Sequence, residues 1–178
     1  MDAELNQEQI NLLNHFHEVD RRTLKALFTY YEPPELTSLE GEYDAELLSQ
    51  GSPFMDRIVK RAFGLQGKWL GKAFRAEDQQ RGYGYNCFLE GNQVLPRLYM
   101  DIRIEPSEWT DGLSMKIDYC SRNRGIIRWL EGEVREATSG LLLGFGSFGP
   151  KFGKGQFRRR IPFVMYGPVR PFQLAKVA

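Results

Sequence analysis

Residues 97–119, RLYMDIRIEPSEWTDGLSMKIDY, hold two segments with a strict period of two. Leu98, Met100, Ile102 and Ile104 alternate with Arg97, Tyr99, Asp101, Arg103 and Glu105. Leu113, Met115, Ile117 and Tyr119 alternate with Ser114, Lys116 and Asp118. Successive side chains of a strand point to opposite faces, so both segments are half-buried strands, joined through the Asp111-Gly112 turn signal. Ordinary burial preference puts the aliphatic face inside and the charged face in water. The reverse would aim Arg97, Asp101 and Arg103 into a polar cavity, with Asp101 or Asp118 as an acid or base.

Working outward, the same period recurs. LEGEYDAEL (39–47) alternates Tyr43 and Ala45 with Glu42, Asp44 and Glu46, which predicts a strand with a water-facing acidic side. KWLGKAFR (68–75) and YGYNCFLEG (83–91) also read as strands. So do residues 131–137, 141–148 and 156–166, with a short helical turn near 125–130. Pro162 marks an edge or a bulge in the last of these. In a regular strand Trp69 and Lys72 lie on opposite faces, which predicts a core tryptophan and a solvated lysine rather than one site.

Helical spacing is confined to two places. Leu12, Phe16, Leu24, Leu27 and Phe28 form an amphipathic stripe over the first 30 residues, with a break at Asp20 and a stop at Pro33-Pro34. Ser52 as N-cap, Pro53 at the first position and Gly64 past the end frame a second, short helix. About eight strands after a helical segment, without alternating β-α-β units, predict an antiparallel barrel. The chain of 178 residues reads as one domain, 1–178, with a helical cap over 1–34 and a barrel over 35–170.

Residues 141–157, LLLGFGSFGPKFGKGQF, contain G-x-G-x-x-G at Gly144, Gly146 and Gly149. A dinucleotide loop needs a following helix and an acidic residue about 20 positions on. Here glycine and proline follow, and no acidic residue occurs after Glu136. The P-loop spacing fails as well, because Gly155 stands where a hydroxyl would hold magnesium. The stretch therefore reads as a hairpin, and no cofactor is expected. His15 and His17 face different directions on a helix, and Cys87 and Cys120 are far apart, so no metal site is expected and both thiols read as free and buried.

The composition is that of a soluble globular chain, 42% hydrophobic and 26% charged with a net charge of +1. No apolar run reaches the ~20 residues of a membrane span, and the acidic, polar start is unlike a secretory signal, so a cytoplasmic location is expected. The last 42 residues carry seven basic and no acidic side chains. Pairing with the acidic first part within one fold accounts for this. Lys151, Phe152, Lys154 and Arg158 at the hairpin tip form the alternative, a docking surface for an anionic membrane or a partner, with too small a basic footprint for nucleic acid.

Residues 27–74 resemble a bacterial family of unknown function named for its G-x-W-x-G motif. LFTYYEPPELTSLEGEYDAEL, GSPFMD and WLGKAF correspond to its helix and first strand, its helix start and its W-x-G-K-x-F segment. Trp69, Gly71, Lys72 and Phe74 match the last of these, and Asp56 the helix acid. Tyr43 and Ala45 replace the Trp and the second Gly of the naming motif. EVREATSGLLLG (133–144) resembles a segment common in lipocalin-like bacterial proteins. The resemblance implies a calycin- or lipocalin-like barrel and carries no catalytic residues. Such a barrel would bind a small apolar molecule, a fatty acid or isoprenoid-like lipid, against Tyr43, Trp69, Tyr85, Leu98, Met100 and Ile102. Arg97 and Arg103 would meet its polar end. The alternatives are an isomerase, cyclase or dehydratase built on Asp101 or Asp118, and a non-catalytic adaptor.

Overall fold

The computed structural model describes residues 5–52, 56–57, 67–149 and 160–173. Helices α1 (Gln7–Glu18) and α2 (Arg21–Tyr30) precede eight strands. These are β1 (Gly41–Leu47), β2 (Lys68–Ala76), β3 (Arg81–Glu90), β4 (Gln93–Pro106), β5 (Leu113–Asp118), β6 (Leu130–Thr138), β7 (Leu141–Phe148) and β8 (Arg160–Arg170). Each strand pairs antiparallel with the next, and β8 closes on β1, so the sheet is a closed barrel. Closure removes every edge, as the strand spacing anticipates.

The alternation of residues 97–119 resolves with the aliphatic face inward. Met100, Ile102, Met115 and Ile117 join Tyr43, Phe74 and Phe163 in the barrel core. Asp101, Arg103, Lys116 and Asp118 occupy the opposite, outer face, paired in register as Asp101 with Asp118 and Arg103 with Lys116.

Both helices begin on side-chain caps. Asn6 and Gln9 form a reciprocal capping box, and Asp20 accepts from Thr23 N at 2.7 Å. They do not cover an end of the barrel, as the word cap would suggest. They lie on its wall, where Phe16, Leu24 and Phe28 pack against the outward Leu141, Leu143 and Phe145. The wall of β7 is apolar on both faces, and a layer is needed on each. Of the short second helix, Asp56 and Arg57 are helical and Asp56 N donates to Ser52 O at 3.0 Å; the rest lies outside the described residues.

Two details of β1 and β8 depart from the strand reading. The acidic side of β1 is not water-facing at Glu42, which is fully buried against Arg170 at 2.7 Å and Tyr85 at 3.0 Å. Arg170 also reaches Asp44 at 2.6 Å, and Arg160 lies 3.8 Å from Glu133, so basic residues of the C-terminal part pair with acidic residues before them. Pro162 is not at a bulge of the β7 pairing, and on the β1 side it is at a local edge. It sits just past the last β1–β8 pair, Leu47–Phe163, where no amide is needed on that side. Cys87 is buried as expected, whereas Cys120 is exposed.

The glycines of 141–149 belong to β7, a barrel strand, and to the turn after it. A methyl at Gly144 would lie 2.3 Å from the Phe163 ring, which itself is packed in the interior, whereas one at Gly146 would meet nothing nearer than 3.8 Å. Gly144→Ala is therefore expected to destabilise by about 1–3 kcal/mol, the usual effect of overpacking, and Gly146→Ala by much less. Thermal unfolding of the two variants side by side checks this, and equal effects would refute the close approach.

Candidate functional site

Lys72 is the residue that the strand pattern misplaces. It is 6% exposed and points into the barrel. Its side chain follows the alternation of Phe74 two residues on, which is fully buried. Trp69 reaches the same side because the β2–β3 register shifts between Trp69 and Gly71, a bulge that inserts one residue and turns the indole inward. The regular-strand expectation of opposite faces is thereby corrected: the Lys72 ammonium position lies 5.5 Å from the Trp69 ring centre.

Three strands supply partners for Lys72. Its Nζ donates to Asn86 Oδ1 of β3 at 2.7 Å and lies 2.6 Å from Oη of Tyr119, one residue past β5. Asn86 Nδ2 donates to Tyr119 Oη at 2.8 Å and to Leu98 O at 3.2 Å, while Trp69 Nε1 donates to Asn86 Oδ1 at 3.1 Å. Leu98 has φ 53°, and no other non-glycine among the described residues has positive φ. This left-handed conformation is unfavourable for leucine, and here it belongs to a bulge that turns the Leu98 carbonyl toward Asn86. The aromatic faces of Tyr119 and Phe163 lie 5.3 and 5.7 Å from Nζ.

No carboxylate of the described residues offsets this lysine. Burial lowers its pKa to about 7, with only a weak opposing influence from Cys87. Burial also pushes the Tyr119 hydroxyl well above its ordinary range, so it stays protonated at neutral pH, although the bond from Asn86 works the other way. An amine that loses its proton near pH 7 beside a phenol that keeps its own is an uncommon pair inside an apolar barrel.

Lys72 and Tyr119 line a small cleft together with Trp69, Leu130, Glu131, Ile161 and Phe163. Its free volume is about 20 Å³, room for roughly one water molecule. The segments that lead to it carry exposed apolar side chains: Ile126 and Trp129 before β6, and Phe148, which pairs with Leu130. The deeper interior is filled by side chains such as Met100 and Ile102.

The other candidates from sequence fall elsewhere. Tyr43, Leu98, Met100 and Ile102 are interior residues, and Tyr43 is the register partner of Lys72. Tyr85 is not interior: it lies in a separate outer cluster with Phe172 and accepts from Gln173 N at 2.7 Å, because Asn86 takes the inward position. Arg97 pairs with Glu90, and Arg103 lies on the outer wall 4.0 Å from Glu105. Asp101 and Asp118 line an outer depression of about 70 Å³ with Lys116, Glu133 and Arg160. Burial would raise the Asp101 carboxyl, but the Ser121 hydroxyl and the Arg122 guanidinium hold it below the usual range. That makes Asp101 a tether for the segment after β5. Lys151, Phe152, Lys154 and Arg158 lie outside the described residues. Among the described residues no helix is long and apolar enough to cross a membrane, and no group of acidic, Cys or His side chains could hold a metal ion.

Sequence reasoning missed Asn86, Tyr119 and Phe163 as one site. The available signal was the placement of Lys72 and Asn86 on the faces of β2 and β3 that also carry Phe74 and Gly84.

No protein-family model and no curated protein matches the chain. A solved structure of a protein from Thermomonospora curvata is similar in fold, with a TM-score of 0.59 at 16% identity, over 90% of this chain and 95% of that one. At that identity the likeness speaks for the fold alone.

Proposed function

We propose that the barrel binds a small, largely apolar molecule whose polar head group meets Lys72. The observation that carries this reading is the buried Lys72–Asn86–Tyr119 cluster beside a small, mainly apolar cleft. Burying a lysine with no carboxylate is unfavourable for the fold, and a head group that uses its hydrogen-bonding capacity would recover part of that free energy. The cleft admits little more than a water-sized group, so the head enters the barrel and the apolar body lies along the mouth. Leu130, Trp129 and Phe148 supply apolar surface there. The calycin-like resemblance agrees with a ligand held by a barrel. The outer position of Asp101 and Asp118 speaks against a carboxylate acid or base inside it.

Dodecanoate is a suitable probe, with one anionic head and an aliphatic body. Native mass spectrometry and calorimetry are expected to give one bound molecule per chain, with affinity at least tenfold weaker in Lys72→Met, a difference of about 1.4 kcal/mol. Absence of binding, or equal binding by the variant, would refute the proposal.

A further inference from the structure

We infer that Lys72 forms a reversible imine with an apolar aldehyde whose carbonyl enters the cleft while its chain stays outside it. The inference rests on the ligand-binding reading above and adds a covalent step to it.

The geometry meets three requirements of such chemistry. The amine must meet the ligand yet be shielded from bulk water, and Lys72 is only 6% exposed and lines the cleft. It must be held in position, and Asn86 Oδ1 at 2.7 Å fixes one N–H while Tyr119 Oη lies 2.6 Å away. It must have an unprotonated fraction with a free electron pair, which an ion pair would deny; no described carboxylate acts on it, and burial favours the neutral form near pH 7. In the neutral amine the Tyr119 hydroxyl can donate to the nitrogen, and this bond yields when the pair attacks a carbonyl.

The step balances without a redox partner. The nitrogen pair forms a C–N bond as the carbonyl π pair moves to oxygen. Transfer of a proton from nitrogen to oxygen gives a carbinolamine. Protonation of its hydroxyl, loss of water and loss of the remaining N–H proton leave the C=N bond. Amine and carbonyl thus become imine and one water, and hydrolysis reverses the change. Tyr119, still a phenol at neutral pH, stands within reach of the nitrogen to hand a proton to the departing hydroxyl and recover one afterwards.

Nonanal with cyanoborohydride, which reduces imines in preference to free aldehyde, tests the inference on the full chain. Peptide mapping is expected to show Lys72 alkylated at least tenfold faster than the surface residues Lys25 and Lys68, and Tyr119→Phe is expected to slow the Lys72 reaction about tenfold. The rate at Lys72 should rise through its midpoint near pH 7. The titratable groups around Lys72 are Tyr43 on β1, Tyr119 after β5 and Glu131, which lines the same cleft on β6, with Cys87 on the outer side of β3; burial pushes Tyr43, Tyr119 and Cys87 upward, out of this pH range. Dodecanoate separates the two readings. If it binds the wild type but nonanal labels Lys72 no faster than Lys25, the imine is refuted and the binding site stands. If neither reacts nor binds, both are refuted.

Discussion

Replacing Arg135 by alanine is expected to destabilise the protein by about 3–5 kcal/mol, the range for truncating a large, hydrogen-bonded buried side chain. Arg135 is on the outer face of β6 and only 2% exposed. Its guanidinium donates to Phe28 O at 3.0 Å, Thr29 O at 3.1 Å and Asp111 O at 2.6 Å. The first two are orphan carbonyls of the last turn of α2, where a cation also complements the helix dipole. The third belongs to the β4–β5 connection, so one side chain ties the helical layer, the barrel wall and a loop together. Its plane also lies 4.8 Å from the Phe28 ring. Alanine would leave three carbonyls without this donor and a void beneath Phe28. Lysine keeps the charge but not the fork, and Arg135→Lys is expected to recover about half of the loss. Urea unfolding of both variants measures this. A loss below about 1 kcal/mol in the alanine variant would show that the carbonyls find other donors.

Lys72→Met is expected to act in the opposite direction and to stabilise the fold at neutral and acidic pH. The amine goes from an ordinary value of 10.5 to about 7 on folding. At about 1.4 kcal/mol per pH unit, this corresponds to an unfavourable contribution of at most about 5 kcal/mol. The sign follows from proton binding. Between about pH 7 and 10.5 the unfolded lysine holds a proton that the folded one lacks, so wild-type stability rises with pH across that window. Below about pH 7 the full unfavourable contribution is present. Methionine has no such dependence, and its size and apolar character suit the interior. The polar partners are not orphaned, because Asn86 Oδ1 still accepts from Trp69 and Tyr119 Oη from Asn86. The variant's advantage should therefore be about 2–5 kcal/mol at pH 6 and shrink toward zero by pH 10. A difference that is constant with pH would mean that Lys72 is already solvated in the folded protein. The same variant, being at least as stable as the wild type, makes any loss of dodecanoate binding a property of the site rather than of unfolding.

Much of the wall was legible from local pattern. The alternation in β4 and β5, the helix break at Asp20 and the turn at Asp111-Gly112 are encoded within a few residues of where they act. Helix–strand boundaries followed for that reason. The position of the helices on the barrel wall was less legible, since an amphipathic stripe states that a face is covered without stating by what. The burial of Glu42 was not legible either. An acidic residue in an alternating strand reads as water-facing until Arg170, far along the chain, comes to lie beside it.

By itself the sequence determined that the chain forms an antiparallel β-structure with two amphipathic helices. These follow from periodicity and turn signals. Only the tertiary structure decided the site. The bulge at Trp69–Gly71 and the one at Leu98 arise from pairing with neighbouring strands: the first brings Trp69 to the same side as Lys72, and the second turns the Leu98 carbonyl toward Asn86. Lys72, Asn86 and Tyr119 come from three different strands or their ends, and barrel closure sets their distances. A lysine's solvation depends on which residues surround it in space, so its burial had no local signature in the chain.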